Sequence, residues 1–115
     1  MAIRTVDYGA GQVGGVLVEA TTSAMTSDTF YMGPSSAMSV AAPGLQGAEK
    51  VTIQYQSAVD NSWHNLTDGT GNLIAITAVT QAFDDYNTAL NYRVVKDATA
   101  SPVGVFYMRS IGRGV

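Results

Sequence analysis

The first residues whose spacing could support chemistry lie in the glycine-rich stretch YGAGQVGGV, residues 8–16. Gly9, Gly11 and Gly14 match the pattern G-x-G-x-x-G, which marks a turn that holds the pyrophosphate of a dinucleotide at a helix N-terminus. The segment that follows, VLVEATTSAMTS, contains early valines, five Ser or Thr residues and no apolar stripe, so it does not predict a helix. We therefore interpret the glycines as giving backbone freedom to an arm, not as a nucleotide site.

His64 is the single histidine, and it follows Trp63 in a predicted hairpin. A histidine in such a place could act as a base, but spacing alone assembles neither a Ser-His-acid set nor a metal triad around it. The sequence therefore predicts no catalytic residues, and we expect a protein that is not an enzyme.

Two acidic stretches could hold a cation. Asp68, Thr70 and Asn72 alternate like the start of a calcium loop, but the closing bidentate acid is missing. The adjacent pair Asp84-Asp85 would point to opposite faces of a strand, whereas on a turn with Asn87 it could help to bind calcium. Plain turns explain both stretches, so we expect no metal site and no cofactor.

Aromatic residues offer an alternative function. Trp63, together with Tyr55, Tyr86 and Tyr92, could form a platform on which pyranose rings stack, as in a carbohydrate-binding module. Large aromatic side chains in a small β-domain also serve as core or interface residues. The platform therefore stays open as the alternative.

Composition restricts the function classes. The chain has 115 residues, enough for one domain, and only 13% of them are charged, with a net charge of -3. Its six basic residues are scattered, which argues against nucleic-acid binding, and no apolar run is long enough to span a bilayer. There is no cysteine, and no secretory signal opens the sequence. The low charge with 46% hydrophobic residues suits a protein that packs against neighbours.

The elements that must position these residues are strands. Period-two alternation predicts strands in VTIQYQ, LNYRVV and VGVFYMR, and WHNL is expected to return antiparallel to VTIQYQ as a hairpin. LIAITAV is apolar on both faces, which predicts a central or doubly covered strand, while QAFDDYNTAL fits either a helical turn or a strand and loop. We expect an all-β protein, an antiparallel sandwich or barrel of about seven to nine short strands. Residues 1–15 are predicted to be a glycine-rich N-terminal arm and residues 16–115 the domain.

The stretch VTIQYQSAVDNSWHNLTDGTGNLIAITA, followed by LNYRVVKDATASPVGVFY, resembles the small β-sandwich proteins of tailed-bacteriophage virions, and among them the head decoration, or cement, proteins. The shared features are a V-T-I-x-Y strand, a turn with a tryptophan, an Asp-Gly turn, a YRVVK strand and a closing VGVFY strand. The resemblance covers about half of the chain. It implies a non-enzymatic protein, made in the bacterial host cytoplasm, that binds the outside of a capsid in many copies, often as trimers.

That resemblance implies the major capsid protein and further copies of this chain as partners, with no nucleic acid, membrane or small-molecule substrate. A tail or neck location remains an alternative within the same structural class. We expect the arm to reach a neighbour, for example by adding a strand to a sheet edge. The apolar residues in and next to the arm are the candidates for partner contact: Ile3, Val6, Tyr8, Val13 and Val16.

Overall fold

Strands account for all the regular structure in the described part of the chain. The computed structural model describes residues 4–9, 12–31, 38–67, 70–80, 82–85 and 91–110. The strands are β1 (Arg4–Gly9), β2 (Gln12–Thr21), β3 (Met25–Thr26), β4 (Phe30–Tyr31), β5 (Met38–Ala41), β6 (Lys50–Gln56), β7 (Trp63–Asn65), β8 (Ala75–Thr77), β9 (Ala82–Asp85), β10 (Asn91–Lys96) and β11 (Val103–Ser110). This confirms the predicted all-β class. The described residues form eleven strands, and nine remain when the two-residue strands β3 and β4 are set aside.

The strands form two antiparallel sheets. Sheet A has the order β1-β2-β11-β5-β9. Sheet B is centred on the β10-β6 pair, with β3 and β4 along the outer side of β10 and with β7 and β8 along the outer side of β6. The first described strand therefore lies at one edge of sheet A, while β11 sits in its middle.

Both sheets contribute to one hydrophobic core. Phe30 of sheet B lies with its ring centroid 6.0 Å from that of Tyr92 and 5.5 Å from that of Tyr107, which belongs to sheet A. These stacked rings connect the two sheets across the core. The fully buried aliphatic members of the core include Leu17, Val18, Val40, Val51, Ile53, Ile76, Val94, Val103 and Val105.

The alternation predicted from the sequence is confirmed in β6, β10 and β11. Val51 and Ile53 of β6 are buried while Thr52 and Gln54 are only half-buried, and β10 and β11 alternate in the same way. The predicted hairpin is also present, because β6 pairs with β7 from Gln56 opposite Trp63.

The LIAITAV segment differs from its prediction as a central strand. Only Ala75–Thr77 is strand, and it pairs with β6 alone among the described strands. Ile76 is buried, but Leu73 is 45% and Val79 is 94% exposed. The side-chain oxygen of Thr77 accepts hydrogen bonds from the backbone N–H groups of Val79 and Thr80, so a turn ends the strand before it can extend.

The described part of the predicted arm is a β-hairpin. Arg4–Gly9 pairs antiparallel with Gln12–Val16, with one extra residue, Tyr8, on the first strand. The far side of β2 pairs with β11, so Gly14 and Gly15 lie inside sheet A. Glycine has no side chain that could add to an apolar-polar alternation, so the sequence pattern conceals the strand here. Whether residues 1–15 act as a unit separate from 16–115 stays a prediction.

Candidate binding surfaces

The glycine motif lies in the β1-β2 hairpin. Gly9 ends β1, Gly14 is within β2, and Gly11 lies outside the described residues. The element that follows is a strand, and no helix N-terminus is present in the described part to hold a pyrophosphate. The arrangement therefore does not provide the geometry of a dinucleotide turn.

His64 belongs to an exposed polar cluster on the β6-β7 hairpin that spacing did not reveal. The Ser62 hydroxyl donates to Oδ1 of Asp60 at 2.7 Å and lies 2.7 Å from Nε2 of His64. The Asp60 carboxylate also accepts a hydrogen bond from the backbone N–H of Ser62. The bond from the Ser62 hydroxyl, and after it the bond from the backbone, lower the pKa of Asp60 below its usual value. In this cluster the serine lies between the acid and the histidine, whereas a catalytic triad requires the histidine in the middle. The contacts order the hairpin loop, and their arrangement is not that of a catalytic triad.

The acidic stretches do not assemble a metal site in the described part of the chain. Asp84 and Asp85 lie in β9, while Asp68 and Asn87 lie outside the described residues. The Asn72 amide donates to the Thr70 hydroxyl at 3.0 Å, which is an ordinary turn contact. Among the described residues, no group of three or more His, Asp or Glu side chains is placed to hold an ion.

The residues of the predicted sugar platform are not brought together. Tyr92 is buried in the core with 1% of its surface exposed. Tyr55 packs against the core and contacts the ring of His64. Trp63 lies opposite Gln56, on the other face of sheet B, where the guanidinium of Arg93 stacks 4.3 Å from the centre of its ring. Tyr86 lies outside the described residues.

The predicted partner residues fall mainly in the first hairpin. Val6 and Tyr8 lie in β1, Val13 and Val16 lie in β2, and Ile3 lies outside the described residues. Val16 is buried, yet it is not part of the core between the sheets. It lies opposite Phe106 in the register with β11, so it belongs to the face of sheet A that points away from the core.

That face, which we call the outer face of sheet A, carries an exposed apolar patch. Phe106 is 39% and Met108 is 38% exposed, although both lie in the middle strand of the sheet. Ala41 and Ser39 of β5 lie opposite these two residues and complete a shallow open groove beside them. The lining residues whose side chains the structure describes carry no charge. Sequence alternation places Phe106 and Met108 on one face but does not show that the face is uncovered.

No described helix is long and apolar enough to cross a membrane. A scan against protein-family models found no match, and a search of curated proteins found none either. Among solved structures, the chain is similar to the SPBc2 prophage-derived protein YomS, with a TM-score of 0.55 and 14% sequence identity over 85% of this chain and 91% of that one. The two chains share a fold.

A Cupin_2 domain of an XRE-family transcriptional regulator from Enterobacter cloacae aligns with 98% of this chain and 100% of its own length. Its sequence identity is 10% and its TM-score is 0.36, which is too low to support an argument about function.

Proposed function

We propose that this chain is a non-enzymatic structural protein of a tailed-bacteriophage virion, which binds the capsid exterior and stabilises it across the joints between major capsid subunits. The observation that carries the proposal is the outer face of sheet A, where Phe106 and Met108 expose apolar surface in the middle of a sheet. The fold shared with a prophage-derived protein supports a phage origin. The resemblance of the strand and turn sequences to decoration proteins supports the capsid as the partner.

The low charge of the surface fits this role. Only 13% of the residues are charged, so little electrostatic repulsion keeps copies and partners apart. An exposed phenylalanine and methionine, beside a groove whose described lining is uncharged, form a patch that a partner would desolvate on binding. Each contact needs only modest affinity, because a capsid presents many sites at high effective concentration.

Particles with and without the protein test this proposal. We expect particles that lack it to release their genome at a lower temperature than complete particles, and we expect it in hundreds of copies per virion, as found by quantitative mass spectrometry. A handful of copies would instead favour the tail or neck. Equal thermal survival of the two kinds of particle would contradict the stabilising role.

Charge substitutions locate the contact. Phe106→Asp places a carboxylate on the apolar patch, so we expect loss of binding to particles that lack the protein, because burying an unpaired charge is unfavourable. Val79→Asp is the matched control, since Val79 is 94% exposed on a turn of sheet B. Co-sedimentation measures both variants, and circular dichroism checks that each remains folded. Equal binding by Phe106→Asp and the control would move the contact away from this face.

A further inference from the structure

The face of sheet B that points away from the core carries an ordered row of side chains across four strands. In register, Tyr31 of β4 lies opposite Asn91 of β10, and Gln56 of β6 lies opposite Trp63 of β7. The Asn91 amide donates to Oε1 of Gln56 at 3.3 Å and joins the two pairs into one row. An aromatic side chain therefore stands at each end of the row, with two amides between them.

A second row runs beside the first and is also connected by hydrogen bonds. Nε of Arg93 donates to Oε1 of Gln54 at 2.7 Å, and Nε2 of Gln54 donates to Oδ1 of Asn65 at 3.0 Å. The guanidinium of Arg93 stacks on Trp63, which links the second row to the first. We call these two rows together the amide face.

The amide face matches a ligand rich in hydroxyl groups. A side-chain amide offers two donors and two acceptor positions, and a hydroxyl can satisfy either kind. Gln54 uses one donor and one acceptor within its row and keeps one of each. The cross-strand hydrogen bonds hold the amides in place before a ligand arrives, which reduces the entropy lost on binding. Neither row contains a carboxylate, and Arg93 is the single charged member.

The two aromatic residues extend the match to the faces of sugar rings. Tyr31 is 59% exposed, although its neighbour Phe30 is buried in the core, so strand alternation turns its ring away from the apolar interior. Trp63 is half-buried and held by Arg93. Three strand spacings separate the two residues, about 14 Å, which leaves room between them for more than one pyranose ring.

We propose that the amide face binds an extended oligosaccharide, with ring faces on Tyr31 and Trp63 and hydroxyl groups on the amides between them. This site differs from the aromatic set that the sequence suggested, because it contains neither Tyr55 nor Tyr92 and its floor consists of amides. It lies on the opposite sheet from Phe106, so it does not depend on the capsid role.

The experiment uses the intact chain and an array of bacterial capsular polysaccharides, O-antigen polysaccharides and peptidoglycan fragments. Trp63 is the only tryptophan, so its fluorescence reports directly on the site. We expect at least one arrayed saccharide to change this emission and to shift the side-chain amide resonances of Gln54, Gln56, Asn65 and Asn91. Tyr31→Ala and Gln56→Ala leave Trp63 in place as the fluorescent reporter. Both substitutions change side chains outside the buried core, since Tyr31 is exposed and Gln56 is half-buried. We expect Tyr31→Ala to weaken binding about tenfold, the loss of roughly one stacked ring.

Phe106→Ala is the matched control, because it removes a partly exposed aromatic ring from the other sheet and should leave saccharide binding unchanged. Tyr31→Phe keeps the ring and should retain most of the affinity. Three results would overturn the proposal: no saccharide in the array binds, Tyr31→Ala binds as well as the wild type, or polyglutamate binds as strongly as any saccharide. Capsid attachment is measured separately on particles, so failure of either proposal leaves the other standing.

Discussion

Lys96 is a charged residue that the fold places inside the protein. Its side chain is 1% exposed, and its ammonium group donates to the backbone oxygens of Ser23 and Asp97 at 2.9 Å and to Oγ1 of Thr99 at 3.2 Å. These three acceptors belong to loops next to β2 and β10, so one side chain ties the loops together. Burial lowers the pKa of Lys96 below its ordinary value of 10.5, while the charges of Glu49 and Asp97 partly oppose this shift.

The lowered pKa predicts how stability changes with pH. Between the folded pKa and 10.5 the unfolded chain binds more protons than the folded one, so the free energy of unfolding should rise as pH rises through this window. Urea denaturation of the wild type and of Lys96→Met at several alkaline pH values measures this effect. We expect the variant to lose this part of the rise. At neutral pH we expect it to be less stable by about 1–3 kcal/mol, because buried acceptors lose their donor.

Lys50→Met is the control for that measurement. Lys50 is partly solvated, with 44% of its side chain exposed, and its ammonium lies 4.0 Å from Oδ2 of Asp97. An exposed ion pair of this kind contributes less than about 1 kcal/mol, so this variant should remain close to the wild type and keep the alkaline rise. An unchanged alkaline rise in Lys96→Met would show that other groups cause it.

At the scale of elements, the sequence predicts strands well where one side is buried and the ladder is regular. The alternation is confirmed in β6 and β10, which share one register, and in β11, whose register with β5 is regular from Phe106 to Arg109 although its register with β2 shifts twice. In β2 the register with β11 shifts between Val16 and Val18, which makes Leu17 an extra residue on this strand. The side chains of Val16, Leu17 and Val18 are all buried, so burial does not alternate here. Period-two counting cannot detect such a bulge, because the partner strand creates it.

The candidate binding surfaces, like the strands, are only partly predicted by the sequence pattern. The sequence favours Trp63 as a platform residue but groups it with Tyr55 and Tyr92, which the register places on the core side of sheet B. The sequence does not single out Tyr31 as a binding residue, because a two-residue strand carries little periodic signal of its own. Its only sequence signal is the pair Phe30-Tyr31, where one aromatic residue must point away from the core if the other points into it.

The hairpin formed by β1 and β2 predicts a sharp boundary for truncation. Within the described residues β1 pairs only with β2, whereas β2 also pairs with β11 along most of its length. Deletion of residues 1–9 should therefore leave a cooperatively folded protein with a lower melting temperature. Deletion of residues 1–15 removes the part of β2 that pairs with Tyr107 and Met108, so it should destabilise the domain far more. Thermal melts followed by circular dichroism compare the two, and equal melting temperatures would contradict this boundary.

At the scale of the whole molecule, sheet A has unpaired edge strands and an exposed apolar face that further copies of the chain could cover. In the described part of the chain its edges are β1 and β9, and an edge strand presents unpaired backbone N–H and C=O groups. The outer face of the same sheet exposes Phe106 and Met108. Association of copies through one or both of these features would shield them from solvent, in line with the trimer that the resemblance to decoration proteins implies.

Light scattering coupled to size-exclusion chromatography tests the trimer. We expect a mass of about 36 kDa, three times the 12.0 kDa of one chain, and a mass of 12.0 kDa at high concentration would contradict it. Phe106→Asp then separates the two features, with Val79→Asp as the control for added charge. A trimer that persists in Phe106→Asp does not depend on the apolar face, which is then free for the capsid. A monomeric Phe106→Asp protein would show that the apolar face joins the copies, and the capsid contact would then lie on another surface.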